Sequence, residues 1–170
     1  MGGLPAKLKN WNVFVNGEDY AGVASELALP KLAEKVEQWR GAGMLAEVDV
    51  SMGLEKLELE HKYGGLVRDI LRQFGAVGVG SSMIRFVGAY QEEVAGGVMA
   101  AELVVRGKHV EIDPGSAKAG DETEWTVKST LTYLRWRVNG RTEIEIDVIN
   151  NILIVDGFDR MIAIRAALGQ

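Results

Sequence analysis

Three tracts, 46–61, 98–111 and 124–138, alternate apolar and polar side chains over unusual lengths. Side chains that repeat every second residue on one face define a strand, and most strands run about 5–6 residues. Two of the tracts also change phase. Val48, Val50, Met52 and Leu54 share one parity, and Leu57 and Leu59 the other. Trp125, Val127, Ser129, Leu131 and Tyr133 give way in the same manner to Leu134, Trp136 and Val138. Alternation changes parity only when a residue is inserted, so the pattern predicts bulges around Gly53–Lys56 and near Tyr133. Long strands of mixed polarity suit a sheet completed by other subunits, because an open edge on a monomer is an aggregation hazard that closure removes.

Turn chemistry supports a β-rich chain. Trp11, Val13 and Val15 share a strand face and run into Asn16-Gly17, a pair that supplies the positive φ angles of a type I′ turn. The return strand is expected from Asp19 to Leu29, ending at Pro30. Asn139-Gly140 repeats the signal before a strand carrying Ile144, Ile146 and Val148 opposite Glu143, Glu145 and Asp147. Segments 82–90 and 98–111 are expected to pair through a loop containing Gly96-Gly97, and Asp113-Pro114-Gly115 to turn the chain into a polar loop over 116–123. A short buried strand is expected over 152–155. Leu66, Val67, Ile70, Leu71 and Phe74 form a helical stripe ending at Gly75, and a second helix is expected from Phe158 to Leu168. In 31–40, Leu32, Val36 and Trp39 also fit helical spacing, and periodicity alone favours a helix there.

At 170 residues the chain suits one domain spanning residues 1–170. Its 21 glycines exceed the usual share of about 7%, in keeping with many turns. The formal charge of −5 argues against a basic nucleic-acid groove. The start, Met1 to Lys7, lacks an apolar signal core, and no run approaches the ~20 residues of a membrane span. The expectation is a soluble protein of a cytoplasm, with no stable membrane anchor.

Catalytic chemistry is hard to find. The absence of cysteine excludes disulfides, thiolate metal sites and thiol nucleophiles. His61 and His109 lie far apart on expected strands, without metal-ligand spacing, and read as exposed strand residues. Gly75-Ala76-Val77-Gly78-Val79-Gly80 follows a helix rather than a strand, so it reads as a loop and not a phosphate cradle. Asp121-Glu122-Thr123-Glu124 lacks calcium-loop spacing and reads as a solvated turn. Glu143, Glu145 and Asp147 line one exposed sheet face. No catalytic residue, metal ligand or cofactor site is expected.

Several stretches resemble the major tail tube protein of contractile-tailed bacteriophages and R-type pyocins. They are Leu29-Pro30-Lys31-Leu32-Ala33, Met52-Gly53-Leu54-Glu55-Lys56-Leu57, Glu111-Ile112-Asp113-Pro114-Gly115 and Lys118-Ala119-Gly120. Leu131-Thr132-Tyr133, Val138-Asn139-Gly140, Glu143-Ile144-Glu145-Ile146-Asp147 and Ala166-Ala167-Leu168-Gly169 follow in order. The resemblance implies a mainly β, sandwich- or barrel-like tail tube fold with one flanking helix and a short C-terminal helix. Six copies would form a ring whose inner sheets join into one barrel, and rings would stack. It also implies that 31–40 is an extended strand, which replaces the helix read from periodicity.

The same resemblance implies a virion tail (or bacteriocin particle) component made in the bacterial cytoplasm. Its partners would be further copies of itself, a tail sheath protein, and baseplate and tail-terminator proteins. DNA would pass through without specific binding. A loop after residue 40 would touch the neighbouring ring through Arg40, Gly41, Gly43, Met44 and Leu45. There the family more often shows Arg-Ala-Gly-Gly-Met-Asp-Ala-Pro, whereas this chain exchanges Gly41 and Ala42 and carries Leu45 and Glu47. Lumen-lining carboxylates are expected among Glu34, Glu37, Glu47, Asp49, Glu55, Glu58 and Glu60. The rival reading, a small soluble β-barrel ligand-binding module, needs a pocket of convergent polar groups that no motif supplies.

Overall fold

A computed structural model describes residues 3–170, leaving Met1 and Gly2 of the expected leaderless start outside the described residues. The strands are β1 (Lys7–Val15), β2 (Glu18–Asp19), β3 (Ala24–Ala28), β4 (Glu34–Trp39), β5 (Val48–Leu54) and β6 (Leu57–Tyr63). After α1 (Arg68–Arg72) come β7 (Ser82–Gln91), β8 (Val98–Asp113), β9 (Trp125–Val138), β10 (Arg141–Asp147), β11 (Ile152–Val155), β12 (Phe158–Asp159) and α2 (Ile162–Leu168).

The sheet runs β12-β11-β10-β9-β8-β7-β1-β2, and β9 also carries β6, which carries β3. β9 spends its length on two neighbours. Its first half, Trp125 to Leu131, pairs with β6, and its second, Tyr133 to Val138, pairs with β10. Where it changes neighbour, β8 and β9 slip: Arg106 faces Tyr133 and Gly107 faces Leu131, so Thr132 is the inserted residue. The parity change in the sequence records this bulge. Gly107 is required at the bend, since a Cβ there would lie 2.1 Å from the Thr130 carbonyl oxygen. A second slip, between His109 and Glu111, inserts Val110 in β8.

The inward residues of both halves join one core: Val13 and Val15, Ile84 and Phe86, Leu103 and Val105, Val127 and Leu134, Leu57 and Leu59, and Ile146. Tyr20, beyond β2, meets Tyr63 at the end of β6 with ring centroids 5.2 Å apart, so the two ends of the sheet curl over the same interior. Trp11, Phe86 and Trp136 form an aromatic chain at its other side.

Both Asn-Gly turns form as expected, with Asn16 and Asn139 each at φ 49°. Their side chains do more than turn the chain. Asn16 Oδ1 accepts from the Met83 N–H at 2.8 Å, and Asn139 Oδ1 from the Ala100 N–H at 2.9 Å, so each asparagine ties its hairpin to the next strand.

Three expectations need correction. The return strand from Asp19 to Leu29 is two short strands, because a turn at Ala21–Val23 carries the chain from β1's side to β6's. The segment 31–40 carries the extended strand that the resemblance implied, β4, whose pairing with β5 outweighs a weak helical stripe. The C-terminal helix starts at Ile162, since Phe158 and Asp159 extend the sheet beside β11. The stripe over α1 is only part core: Val67 and Ile70 are buried, while Leu66, Leu71 and Phe74 are exposed.

Candidate functional site

β4 and β5 form a two-stranded sheet of their own, separate from the large sheet. They extend the β3–β6 pair past Pro30 and Gly53, with Glu55 N–H donating to the Ala33 carbonyl at 2.8 Å across the junction. The slip between Glu34 and Val36 places the expected bulge at Met52–Gly53, where Gly53 takes φ +108°. Every residue of this arm is exposed, on both faces. Glu37 faces Val50 and Trp39 faces Val48, so these four share one face; Gln38, Asp49, Val36 and Ser51 take the other. Glu37 and Asp49, both expected towards the lumen, therefore point to opposite sides.

The arm tip is a closed turn. Met44 N–H donates to the Gly41 carbonyl at 3.2 Å, Arg40 Nε donates to the Met44 carbonyl at 3.3 Å, and Gly41 N–H points at Met44 Sδ at 2.9 Å. Gly43 takes φ +81°. Met44 thus folds back on the turn, whereas Leu45 stands 95% exposed.

Below the arm, β3, β6, β9 and the second half of β8 make a four-stranded stretch with a polar outer face. Register aligns its side chains in rows: Glu26, Lys62, Thr126 and Asp113; then Ala28, Glu60, Lys128 and Glu111; then Glu58, Thr130 and Lys108. The charges interleave. Lys62 lies between Glu26 at 3.8 Å and Glu124 at 3.7 Å, Lys128 pairs with Glu111 at 3.2 Å, and Lys56 with Glu58 at 3.0 Å. The Glu111 hydrogen bond, then the charges of Glu111, Glu60 and Glu58, raise the Lys128 ammonium above its ordinary value. A trough over this face is lined by Leu29, Lys31, Glu55, Lys56 and Val110 among others. Of the expected carboxylates, Glu58 and Glu60 sit here, Glu55 at the junction, and Glu34, Glu37, Glu47 and Asp49 on the arm.

This stretch has two open edges. β3 pairs with β6 alone, and β8 loses β7 after Gly107, leaving 108–113 unpaired on that side among the described residues.

Behind the polar face the two histidines are buried, at 0% and 1% exposure, and not exposed as expected. Alternation told that they share a face with Leu57, Leu59 and Val105, but not that this face is covered. A continuous hydrogen-bond chain holds them. Tyr63 Oη lies 2.5 Å from His61 Nδ1, His61 Nε2 3.0 Å from Ser129 Oγ, Ser129 Oγ 2.7 Å from His109 Nδ1, and His109 Nε2 2.8 Å from Gln73 Oε1. Ser82 Oγ also donates to Gln73 Oε1 at 3.2 Å. Two neutral imidazoles protonated on Nε2 satisfy every link: tyrosine donates to His61, His61 to serine, serine to His109, and His109 to the amide oxygen. Desolvation, helped by the neighbouring His109, pushes His61 down to about 3, and desolvation pushes His109 down to about 4. Burial raises the Tyr63 phenol. The chain joins β6, β9 and β8 to the residue that ends α1, a buried clamp between them. Its sequence signal was Ser129, a polar residue at an inward position between Val127 and Leu131. Among the described residues, no cluster of His, Asp or Glu is arranged to hold a metal ion.

The family described as phage tail tube protein FII matches residues 5–169. The tail tube protein of Escherichia phage P2 is 41% identical over 169 residues, covering 98% of each chain. The major tail tube protein of Serratia phage KSP20 is 34% identical over 157 residues, covering 91% of this chain and 90% of its own. In fold, the chain is similar to one in the cryo-EM structure of the anti-feeding prophage (AFP) baseplate, 6-fold symmetrised. The TM-score is 0.54 at 14% identity, over 75% of this chain and 90% of that one.

Proposed function

The chain belongs to the phage tail tube protein FII family, a structural component of the virion tail, and from that premise we propose how its own residues close and stack the tube. The observation that carries the proposal is the pair of open edges on one four-stranded stretch. β3 runs antiparallel to β6, β6 to β9, and β9 to β8, so β3 and β8 run in opposite directions. A neighbour's 108–113 edge laid beside β3 continues the alternation. An even number of strands per copy lets the pattern close after six copies, as the resemblance implies. Closure buries both open edges of this stretch and converts the liability of an unpaired strand into the ring contact.

The polar face of this stretch then lines the lumen. Lys56, Lys62 and Lys128 stand among carboxylates that already pair with them, so a passing polyanion meets few unpaired cations to release counterions against. A ring of six carries about −30 formal charges, the sign that keeps phosphate from sticking. The arm, an extension of lumen strands β3 and β6, points along the strand direction to the next ring. Leu45 and the Arg40–Met44 turn are its leading contacts. The role is structural, without a catalytic step. Tail sheath, baseplate and tail-terminator proteins are its partners beyond its own copies, in a contractile tail that conducts DNA or, in a bacteriocin, pierces an envelope.

Amide hydrogen exchange tests the closure. The amides of Ala24–Ala28 and of 108–113 that face away from β6 and β9 are expected to exchange rapidly in the isolated subunit and to become protected in assembled tubes. Rapid exchange of both edges in assembled tubes overturns the edge pairing.

A further inference from the structure

The outer face of the other half of the sheet concentrates arginine on a chain whose net charge is −5. Register sets Phe14, Arg85, Val104, Arg135 and Glu145 in one row, and Asn12, Val87, Glu102, Arg137 and Thr142 in the next. Glu102 is the shared acceptor of three guanidiniums. Arg85 reaches it through Nε at 2.9 Å and Nη2 at 2.8 Å, while Arg137 stands at 3.7 Å and Arg135 at 3.9 Å. Arg85 also lies over the Phe14 ring, 5.3 Å from its centroid. One carboxylate cannot satisfy three guanidiniums, each with several donors in a fixed fork. The deficit is visible: Nε of Arg135 and Nε of Arg137 are both buried and have no hydrogen-bond partner among the described residues. Glu145, opposite Arg135 in register, forms no ion pair with it among the described residues, and its charge and a hydrogen bond act instead on the Tyr133 phenol.

The arm shows the converse. Glu34, Glu37, Glu47 and Asp49 make no ion pair among the described residues, and Trp39, Val48 and Val50 are 61%, 49% and 44% exposed. One arm face therefore combines a carboxylate, Glu37, with an indole and two valines. The arginine face combines unfilled guanidinium donors with a half-buried Val104 and Phe14. An indole stacks on guanidinium, and a carboxylate accepts from it. The arm's own root lies against β10 and β11, where Glu34, Ser51 and Leu54 share a groove with Ile146, Val148 and Leu153. We propose that the Glu37–Trp39–Val48–Val50 face of the arm docks on the arginine face of a second copy, with Glu37 accepting from the outer guanidinium ends of Arg135 and Arg137, which Glu102 holds only at 3.9 and 3.7 Å. This rests on the stacked-tube reading and names the receiving surface within it.

The cysteine-free chain allows a direct test. Single-cysteine variants Glu37→Cys and Arg137→Cys are mixed, assembled and treated with a bismaleimide of about 10 Å reach, the spacing of strands packed face to face. Val104→Cys, between Arg85 and Arg135 in register, replaces Arg137→Cys if the latter does not fold. Gln38→Cys, on the opposite arm face, is the control. The expected result is an inter-copy product from Glu37→Cys in tubes, at least tenfold above that from Gln38→Cys and absent from unassembled subunits. Tubes that give no Glu37 product, or give mainly the Gln38 product, overturn the docking while leaving the tube reading intact. Parent chain that never assembles overturns the tube reading, and the docking with it.

Discussion

β5 and β6 follow one another along a single limb, β5 paired with β4 and β6 with β3, yet they meet opposite fates. Leu57 and Leu59 of β6 are each 2% exposed, whereas Val48 and Val50 of β5 are 49% and 44% exposed. The junction at Gly53 and Glu55 separates a stretch buried in the subunit from one left exposed in it, whose burial the proposed stacking would supply. Burying an apolar side chain of this size contributes about 1.5–3 kcal/mol. For β6 that gain belongs to folding; for the arm the proposed stacking assigns it to assembly. The difference teaches that alternation specifies faces, not what covers them.

Perturbations of subunit stability break or sharpen this contrast. The largest effect is expected at the bend. Gly107→Ala sets a Cβ against the Thr130 carbonyl, and the variant is expected to lose cooperative folding, read by circular dichroism; a parent-like melting curve contradicts the role of the bend.

Acid comes next. His61 and His109 are neutral in the folded subunit down to about 3 and about 4, but take up protons near their ordinary 6.5 once unfolded. Their folded values are depressed, so the unfolded state binds more protons. Stability is full above about pH 6.5 and falls as pH drops towards 4, with a slope of about 3 kcal/mol per pH unit from two protons. Urea unfolding across this range checks it, and His61→Gln with His109→Gln should flatten the slope. Ser129→Ala is smaller: it strands two imidazole nitrogens and is expected to cost about 2–4 kcal/mol in the same assay, more than a surface substitution does.

The smallest effect on the subunit is expected at the arm tip. Leu45→Asp should change stability by less than about 0.5 kcal/mol, because Leu45 already lies in water, yet it should prevent tube growth seen by negative-stain microscopy. Met44→Asp is expected to disturb the turn itself, since Met44 is folded onto Gly41.

What was legible in the sequence follows the same division. The Asn-Gly turns and the bulges at Gly53 and Thr132 could be read because local geometry alone demands them. Strand β4 could not be read from periodicity: with both faces exposed, no core selects its period. The histidine clamp was hidden because its members come from β6, β8, β9, α1 and β7, and burial is a property of their meeting. The arginine face was likewise invisible, since Arg85, Glu102, Arg135 and Arg137 converge only through register. For the lumen, alternation left the inward side open, and register now divides Glu37 from Asp49.

The central claim is that this subunit completes itself only with further copies. Electron microscopy of the purified chain, concentrated under assembly conditions, tests it most directly. The account predicts hollow tubes of stacked six-membered rings with the β3 and 108–113 edges joined between neighbours. A chain that remains a monomer, or that forms tubes with those edges facing solvent, would contradict it.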